Sequence, residues 1–222
     1  MHTENVTCLT RAGLQCCALA NNHVLDWSEP GLLQTLETLA EAGIHSVGAG
    51  KDADRAWQPV RLVRRHGGIV VLGLGTPGSG IPDQWEASDS RPGVALTADF
   101  SSKTIARVRR AVAAVSRAGD LVVVSIHWGG NWGYGIPAEQ RALAHALVDS
   151  GCVDIVHGHS SHHPKGVEVY RERLILYGCG DLLNDYEGIR GHEEYRGDLS
   201  LMYFPTLDAK TGRLFGLTLT PM

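Results

Sequence analysis

Short, largely apolar runs recur along the chain, and each is followed at once by a polar cluster. Residues 14–20 lead into Asn21-Asn22-His23, residues 121–126 into His127-Trp128-Gly129-Gly130, and residues 153–156 into His157-Gly158-His159-Ser160-Ser161-His162-His163. Apolar runs of this length without polar alternation read as strands covered on both faces, as in a parallel sheet. Between them lie helical patterns. Ser28-Glu29-Pro30 predicts a helix start with Ser28 as cap, Leu32, Leu33, Leu36, Leu39 and Ala40 follow at helical spacing, and Gly43 ends the element. Residues 44–47 then read as a strand, giving a strand-helix-strand unit of the kind that pairs its strands in parallel.

Farther on, residues 59–65 and 69–74 alternate around His66-Gly67-Gly68 and predict a hairpin. Residues 75–97, dense in Gly, Pro, Ser and Asp, predict a long loop, and loops of that length commonly carry function. Ser101 or Ser102 caps a helix with Ile105, Val108, Val112 and Val115 on one face, ended by Gly119, and residues 137–150 form another, closed by Gly151. After Pro164 the pattern shifts to short strands at 167–170, 174–177, 199–204 and 214–219, expected to be antiparallel. The sum is a mixed α/β sandwich, in which ligands sit in the loops beyond the carboxyl ends of the strands.

Size and charge narrow the reading. A chain of 222 residues with 43% hydrophobic content buries a full core and fits one domain spanning 1–222. Its formal charge of -4, with no run of Lys or Arg, offers no surface for nucleic acid and leaves small molecules or an anionic polymer as the expected partners. No segment is apolar for long enough to cross a bilayer, and Met1-His2-Thr3-Glu4-Asn5 lacks the character of a signal peptide. As written the chain reads as soluble and cytoplasmic by default. The five cysteines form no CxxC pair, and Cys16 and Cys17 are adjacent in an apolar run, so they read as small hydrophobes.

Imidazole and amide donors converge at three strand ends, and that changes the picture. A lone histidine is usually a solvated or packed side chain. Here His159 and His162 can face one cavity from a single loop, with His127 and the oxygen of Asn22 arriving from other strands, a donor set suited to Mn, Fe or Zn. With Asn22 turned to a metal, the adjacent His23 faces elsewhere, toward the leaving group of an ester, and Asp26 is placed to orient it. Asp26 reads equally as a helix-capping residue. An imidazole paired with a carboxylate beside a dication is a general acid for metal-assisted hydrolysis. Trp128, Trp132 and Tyr134, interleaved with glycines, either line a substrate pocket or pack their loop on the sheet. Asp181, after Gly178-Cys179-Gly180, either binds a ligand or forms a turn. The glycine-rich stretch 73–78 lacks a Lys-Ser or Lys-Thr sequel and is no phosphate-binding loop.

Ala20-Asn21-Asn22-His23-Val24-Leu25-Asp26, Gly31-Leu32, Ala42-Gly43-Ile44, Gly48-Ala49-Gly50, Ser125-Ile126-His127-Trp128-Gly129, Val153-Asp154-Ile155-Val156-His157-Gly158-His159 and Leu176-Tyr177-Gly178-Cys179-Gly180-Asp181 occur in that order. In this combination, from Asn21 to about Phe204, the chain resembles the CapA family of capsule or poly-γ-glutamate synthesis proteins, within the calcineurin-like metallophosphoesterases. The resemblance implies a four-layer αββα sandwich with a centre of two divalent metal ions. By the same resemblance Asn22, His127, His159 and His162 are ligands and His23 is the general acid. Two departures stand out. The stretch Gly158-His159-Ser160-Ser161-His162-His163-Pro164 is longer than the family's glycine-histidine motif, so His162 or His163 is the second ligand. The family also opens with a strand ending in a metal-binding Gly-Asp and a further acidic motif, whereas here 20 residues precede Asn21, so the fold is expected to be N-terminally shortened. Export or membrane association would follow from a further N-terminal segment. The expected function is a metal-dependent phosphoesterase-like hydrolase. The alternatives are a non-catalytic component that holds metal or an anionic polymer for assembly or export, and a mononuclear amide or peptide hydrolase using the same histidines.

Overall fold

In the computed structural model, residues 2–65, 67–97, 99–182, 190–196 and 199–222 are described. The chain runs α1 (Val6–Arg11), β1 (Cys16–Ala18), α2 (Ser28–Glu41), β2 (His45–Val47), β3 (Ala49–Gly50), α3 (Ala53–Ala56), β4 (Val60–Val63), β5 (Gly68–Gly75), β6 (Gly93–Val94), α4 (Ser102–Ala113), β7 (Leu121–His127), α5 (Ala138–Asp149), β8 (Ile155–His159), β9 (Val167–Tyr170), β10 (Arg173–Leu176), β11 (Leu201–Leu207) and β12 (Leu214–Pro221).

Six of these strands form a central sheet in the order β4-β5-β7-β8-β10-β9, parallel from β5 through β10 and antiparallel at both margins. The alternation of side chains along each strand divides the core. Val122, Val124 and Ile126 of β7 and Val156 of β8 join Val108 and Val112 of α4 and Leu143 and Leu147 of α5 in one cluster. The other face carries Ile155, Leu174 and Leu176, which meet Val123 and, from the β11–β12 hairpin, Tyr203, Leu207, Leu214 and Leu217. On that same face the parallel β1–β2 ladder lies against β5. A Cβ at Gly73 would stand 2.9 Å from both the Gly48 nitrogen and the Val47 carbonyl carbon. Helix α2 covers the ladder through Leu32 and Leu39, packed with Leu19 and Ile44. The layers are therefore helices, central sheet, a second β layer in separate two-stranded pieces, and helix. This is the expected mixed α/β sandwich.

Side-chain caps start α3 and α4, and the other three helices begin without one. Ser101 caps α4, its hydroxyl accepting from the Lys103 amide at 3.2 Å. Ser28 does not cap α2: it sits inside the helix at φ 60°, and Trp27 occupies the cap position without a side-chain bond. The backbone supplies the start instead, since residues 23–31 are wound into a continuous turn by Asp26 N to His23 O, Ser28 N to Leu25 O and Gly31 N to Trp27 O. At the other end Gly43, at φ 72°, closes the helix with its amide on Ala40 O and the Ile44 amide on Leu39 O, the bonding of a glycine C-terminal cap.

Two further readings are adjusted. The predicted strand 153–156 is displaced to Ile155–His159, so His157 and His159 lie within the sheet and not in the loop after it. The segment expected at 174–177 is antiparallel to β9 yet parallel to β8, which makes it an interior strand. The predicted hairpin is present as β4–β5, with turn residue His66 outside the described residues. Among the described residues no helix is long and apolar enough to cross a membrane.

Candidate functional site

Sheet register brings the histidines together. In the parallel β7–β8 pair Ser125 is opposite His157 and His127 opposite His159, and the two-residue period puts all four on the face away from α4 and α5. The consequence is two cross-strand contacts: Ser125 Oγ lies 3.0 Å from His157 Nδ1, and His127 Nδ1 lies 3.1 Å from His159 Nδ1. On the opposite face of β8, position 158 has room only for glycine. A Cβ there would stand 2.5 Å from Trp128 Nε1, 2.6 Å from Tyr177 O and 2.7 Å from Leu176 O. Gly158→Ala is expected to cost about 3 kcal/mol, since backbone and a buried indole have to give way. Urea unfolding measures it; a change below about 0.5 kcal/mol would show that the strands yield freely.

His127 is 5% exposed and its orientation is fixed from behind. Its Nε2–H donates to the Ser79 carbonyl at 3.1 Å, in the loop after β5, which leaves Nδ1 as the lone-pair nitrogen facing His159. Burial is the main reason its pKa falls to about 4; the Ser79 carbonyl opposes that, and nearby His23 and His162 add to it. Burial likewise lowers His159 well below the usual imidazole range, with His157 and His127 contributing. Both rings are neutral at pH 7, the state in which imidazole binds a cation. His159 Nε2 is sealed from solvent without a hydrogen-bond partner.

Asn22 lies against the loop that carries Ser79, where a Cβ on Gly80 would stand 3.1 Å from its Nδ2. Asn21 does the local work: its Oδ1 accepts from the His23 amide at 2.9 Å, holding the turn that follows β1. His23 and Asp26 form the expected pair on the exposed rim, with Nδ1 and Oδ2 2.8 Å apart. The carboxylate oriented toward the ring is not a helix cap, which removes the competing role for Asp26.

The two later histidines diverge. His162 Nδ1 is 2.9 Å from Oδ2 of Asp181, in the segment beyond β10. His163 turns away, 1% exposed, donating Nδ1–H to Pro164 O at 3.0 Å and stacking on Tyr195 at 4.4 Å. Trp132 stacks on His192 at 4.0 Å and tilts over His162 at 5.4 Å, covering one side of that ring. Trp128 belongs to the core: it is 2% exposed and its Nε1–H donates to Tyr177 O at 2.9 Å.

The donor set fits a divalent cation in part. Two neutral imidazole nitrogens 3.1 Å apart match two ligands about 2.1 Å from one cation at a right angle, roughly 3.0 Å apart, and a backbone carbonyl behind one ring is the usual support for such a ligand. Among the described residues no group of three or more His, Cys, Asp or Glu side chains is arranged to enclose a metal ion, and no carboxylate bridges His127 and His159. Sequence reasoning named the histidines but missed the Ser79 carbonyl, a backbone atom with no sequence signal. It left Asp181 between binding a ligand and forming a turn, and its carboxylate lies on His162.

Residues 1–186 match the family described as bacterial capsule synthesis protein PGA_cap. The chain is 46% identical over its whole length to a probable polyglutamine synthesis accessory protein of Mycobacterium tuberculosis, of which it spans 59%. It is 32% identical to the PGA biosynthesis protein CapA of Bacillus subtilis, matching 82% of this chain and 46% of that protein. Against the capsule biosynthesis protein CapA of Bacillus anthracis the identity is 29%, over 82% of this chain and 43% of the other. The chain thus spans about half the length of these relatives. Among solved structures, a Staphylococcus aureus protein described as a 5'-nucleotidase, in complex with alpha-ketoglutarate, superposes with a TM-score of 0.59 at 16% identity, over 97% of this chain and 39% of that one. That likeness is one of fold alone.

Proposed function

Because the chain belongs to the PGA_cap family of bacterial capsule synthesis proteins, we propose that it is a metal-dependent phosphoesterase-like hydrolase of the CapA type, working in capsule or polyglutamate synthesis. The observation that supports this reading is the cross-strand pairing that sets His127 Nδ1 3.1 Å from His159 Nδ1 with the Ser79 carbonyl behind one ring, together with the His23–Asp26 contact at 2.8 Å. His127 and His159 would supply two ligands to a divalent cation, Mn, Fe or Zn, with His162 and Asn22 the further ligands that have to close on it, since the described side chains do not enclose one; when bound, the cation supplies a Lewis acid and a water of lowered pKa.

The chain's own residues do the rest. Asp26 accepts from Nδ1–H of His23 and fixes the ring, leaving Nε2 to exchange a proton with the leaving oxygen of an ester. Ser79, through its carbonyl, keeps the His127 lone pair turned toward His159. Asp181 plays the same orienting part for His162. Trp132, tilted over His162, would shield that ring on one side.

Hydrolysis of a generic phosphodiester, alongside metal content, tests the reading. Wild-type protein is expected to carry metal and turn over, and His23→Ala to keep its metal while losing about 10²–10⁴-fold in rate, the usual contribution of a general acid. Metal without turnover in either protein would sink the hydrolase. It would favour the second reading, a component that holds metal or an anionic polymer for assembly or export. The lack of a bridging carboxylate among the described residues supports that reading.

A further inference from the structure

Away from the histidines, a cleft of about 870 Å³ opens between α2 and the strands β2 and β4, and its lining shares no residue with the site above. The volume is that of a ligand pocket. Leu33, Leu36 and Ala40 give it an apolar wall, and Lys51 and Arg55 stand at its rim. Both cations are exposed, and among the described residues neither is paired with a carboxylate. The Arg55 guanidinium donates to the neutral Gln58 Oε1 at 2.5 Å. Arg61, also in the lining, is neutralised by Asp120, and Glu37 is the acid of the lining. Two strand edges border the cleft. β2 pairs with β1 on one side and β4 with β5 on one side, and among the described strands their other edges take no partner, while His45, Ser46 and Val60 line the space.

We propose that this cleft binds an extended polyamide bearing carboxylates, a stretch of polyglutamate chain, at a place separate from the histidine cluster. The three kinds of lining match the three parts of such a chain. Open strand edges offer N–H and C=O groups to its amides, as in strand addition. The leucine wall covers its methylenes, and Lys51 and Arg55 meet its carboxylates. The proposal rests on the polymer class named above and is independent of hydrolysis. Binding through exposed cations is weak per contact and screened by salt, so affinity comes from several carboxylates at once.

Fluorescence anisotropy with a labelled oligo-γ-glutamate tests it, using wild type, K51E/R55E and His127→Ala. K51E/R55E is expected to bind at least tenfold more weakly, with its thermal melt unchanged because both side chains are on the surface. Added salt brings the wild type toward the double variant, and His127→Ala binds like wild type. Unchanged affinity in K51E/R55E, or loss of binding in His127→Ala, would overturn the proposal, the second by moving the polymer to the histidines. Equal binding of polyphosphate would overturn the polyamide part. A wild type that hydrolyses phosphodiesters yet binds no oligo-γ-glutamate would overturn the cleft assignment and leave the hydrolase intact.

Discussion

His127→Ala is expected to reduce bound metal to background and hydrolysis by at least about 10²-fold, more than the loss usual for residues that only orient a ligand. The ring is 5% exposed, and its tautomer is set by the Ser79 carbonyl, so no neighbouring side chain substitutes for its lone pair. Two effects separate in the measurement. Losing the ring also leaves the buried Ser79 carbonyl without its donor, which costs about 1–3 kcal/mol of stability in the metal-free protein. The diagnostic readout is therefore the shift in melting temperature on adding Mn²⁺ or Zn²⁺. Binding to the folded state stabilises wild type by mass action, about 2.7 kcal/mol at a hundredfold excess over Kd, and should leave His127→Ala unmoved. Equal shifts in the two proteins would place the cation elsewhere.

The contrast between β7 and β8 shows how far the sequence is legible. Leu121 to Ile126 is apolar at nearly every position and its limits are read closely, with only His127 added. In β8 the polar residues mislead. Asp154 looks like part of the strand but precedes it, its carboxylate accepting from the Val122 amide at 2.9 Å and pairing with Arg173. His157 and His159 look like a loop but are strand, because their face is covered by the second β layer and not by a helix. Pattern alone cannot tell a strand whose open face carries a site from a loop that carries one. For the same reason the choice between His162 and His163 needed coordinates: adjacent in the chain, they diverge because one finds Asp181 and the other a stack of aromatic rings. The strand-helix-strand unit and the glycine cap at Gly43 were legible because both are local. The pairing of Ser125 with His157, 32 residues apart, is set by register and was not.

Asp120→Ala is expected to be strongly destabilising. The carboxylate is 1% exposed and takes two bonds from Arg61, Nε to Oδ2 at 2.6 Å and Nη2 to Oδ1 at 2.8 Å, and a third from the Arg117 amide at 2.8 Å. It ties the edge strand β4 to the start of β7 across a separation of 59 residues. Truncation strands a guanidinium that is only 17% exposed, so the cost lies above that of a surface pair and approaches that of a broken buried pair, about 3 kcal/mol. For a chain of this size that lowers the melting temperature by roughly 6–12 °C. The pair also sets an acid limit. Hydrogen bonds from Arg61, ahead of all other causes, hold the Asp120 carboxyl down at about 2. A carboxylate depressed below its unfolded value of about 3.9 contributes in full above that pH, and its contribution is lost as pH falls toward 2. Wild type and Asp120→Ala should therefore differ most in stability at neutral pH and converge in acid. A gap that stays constant from pH 7 to pH 2.5 would mean that the loss is one of packing and not of charge.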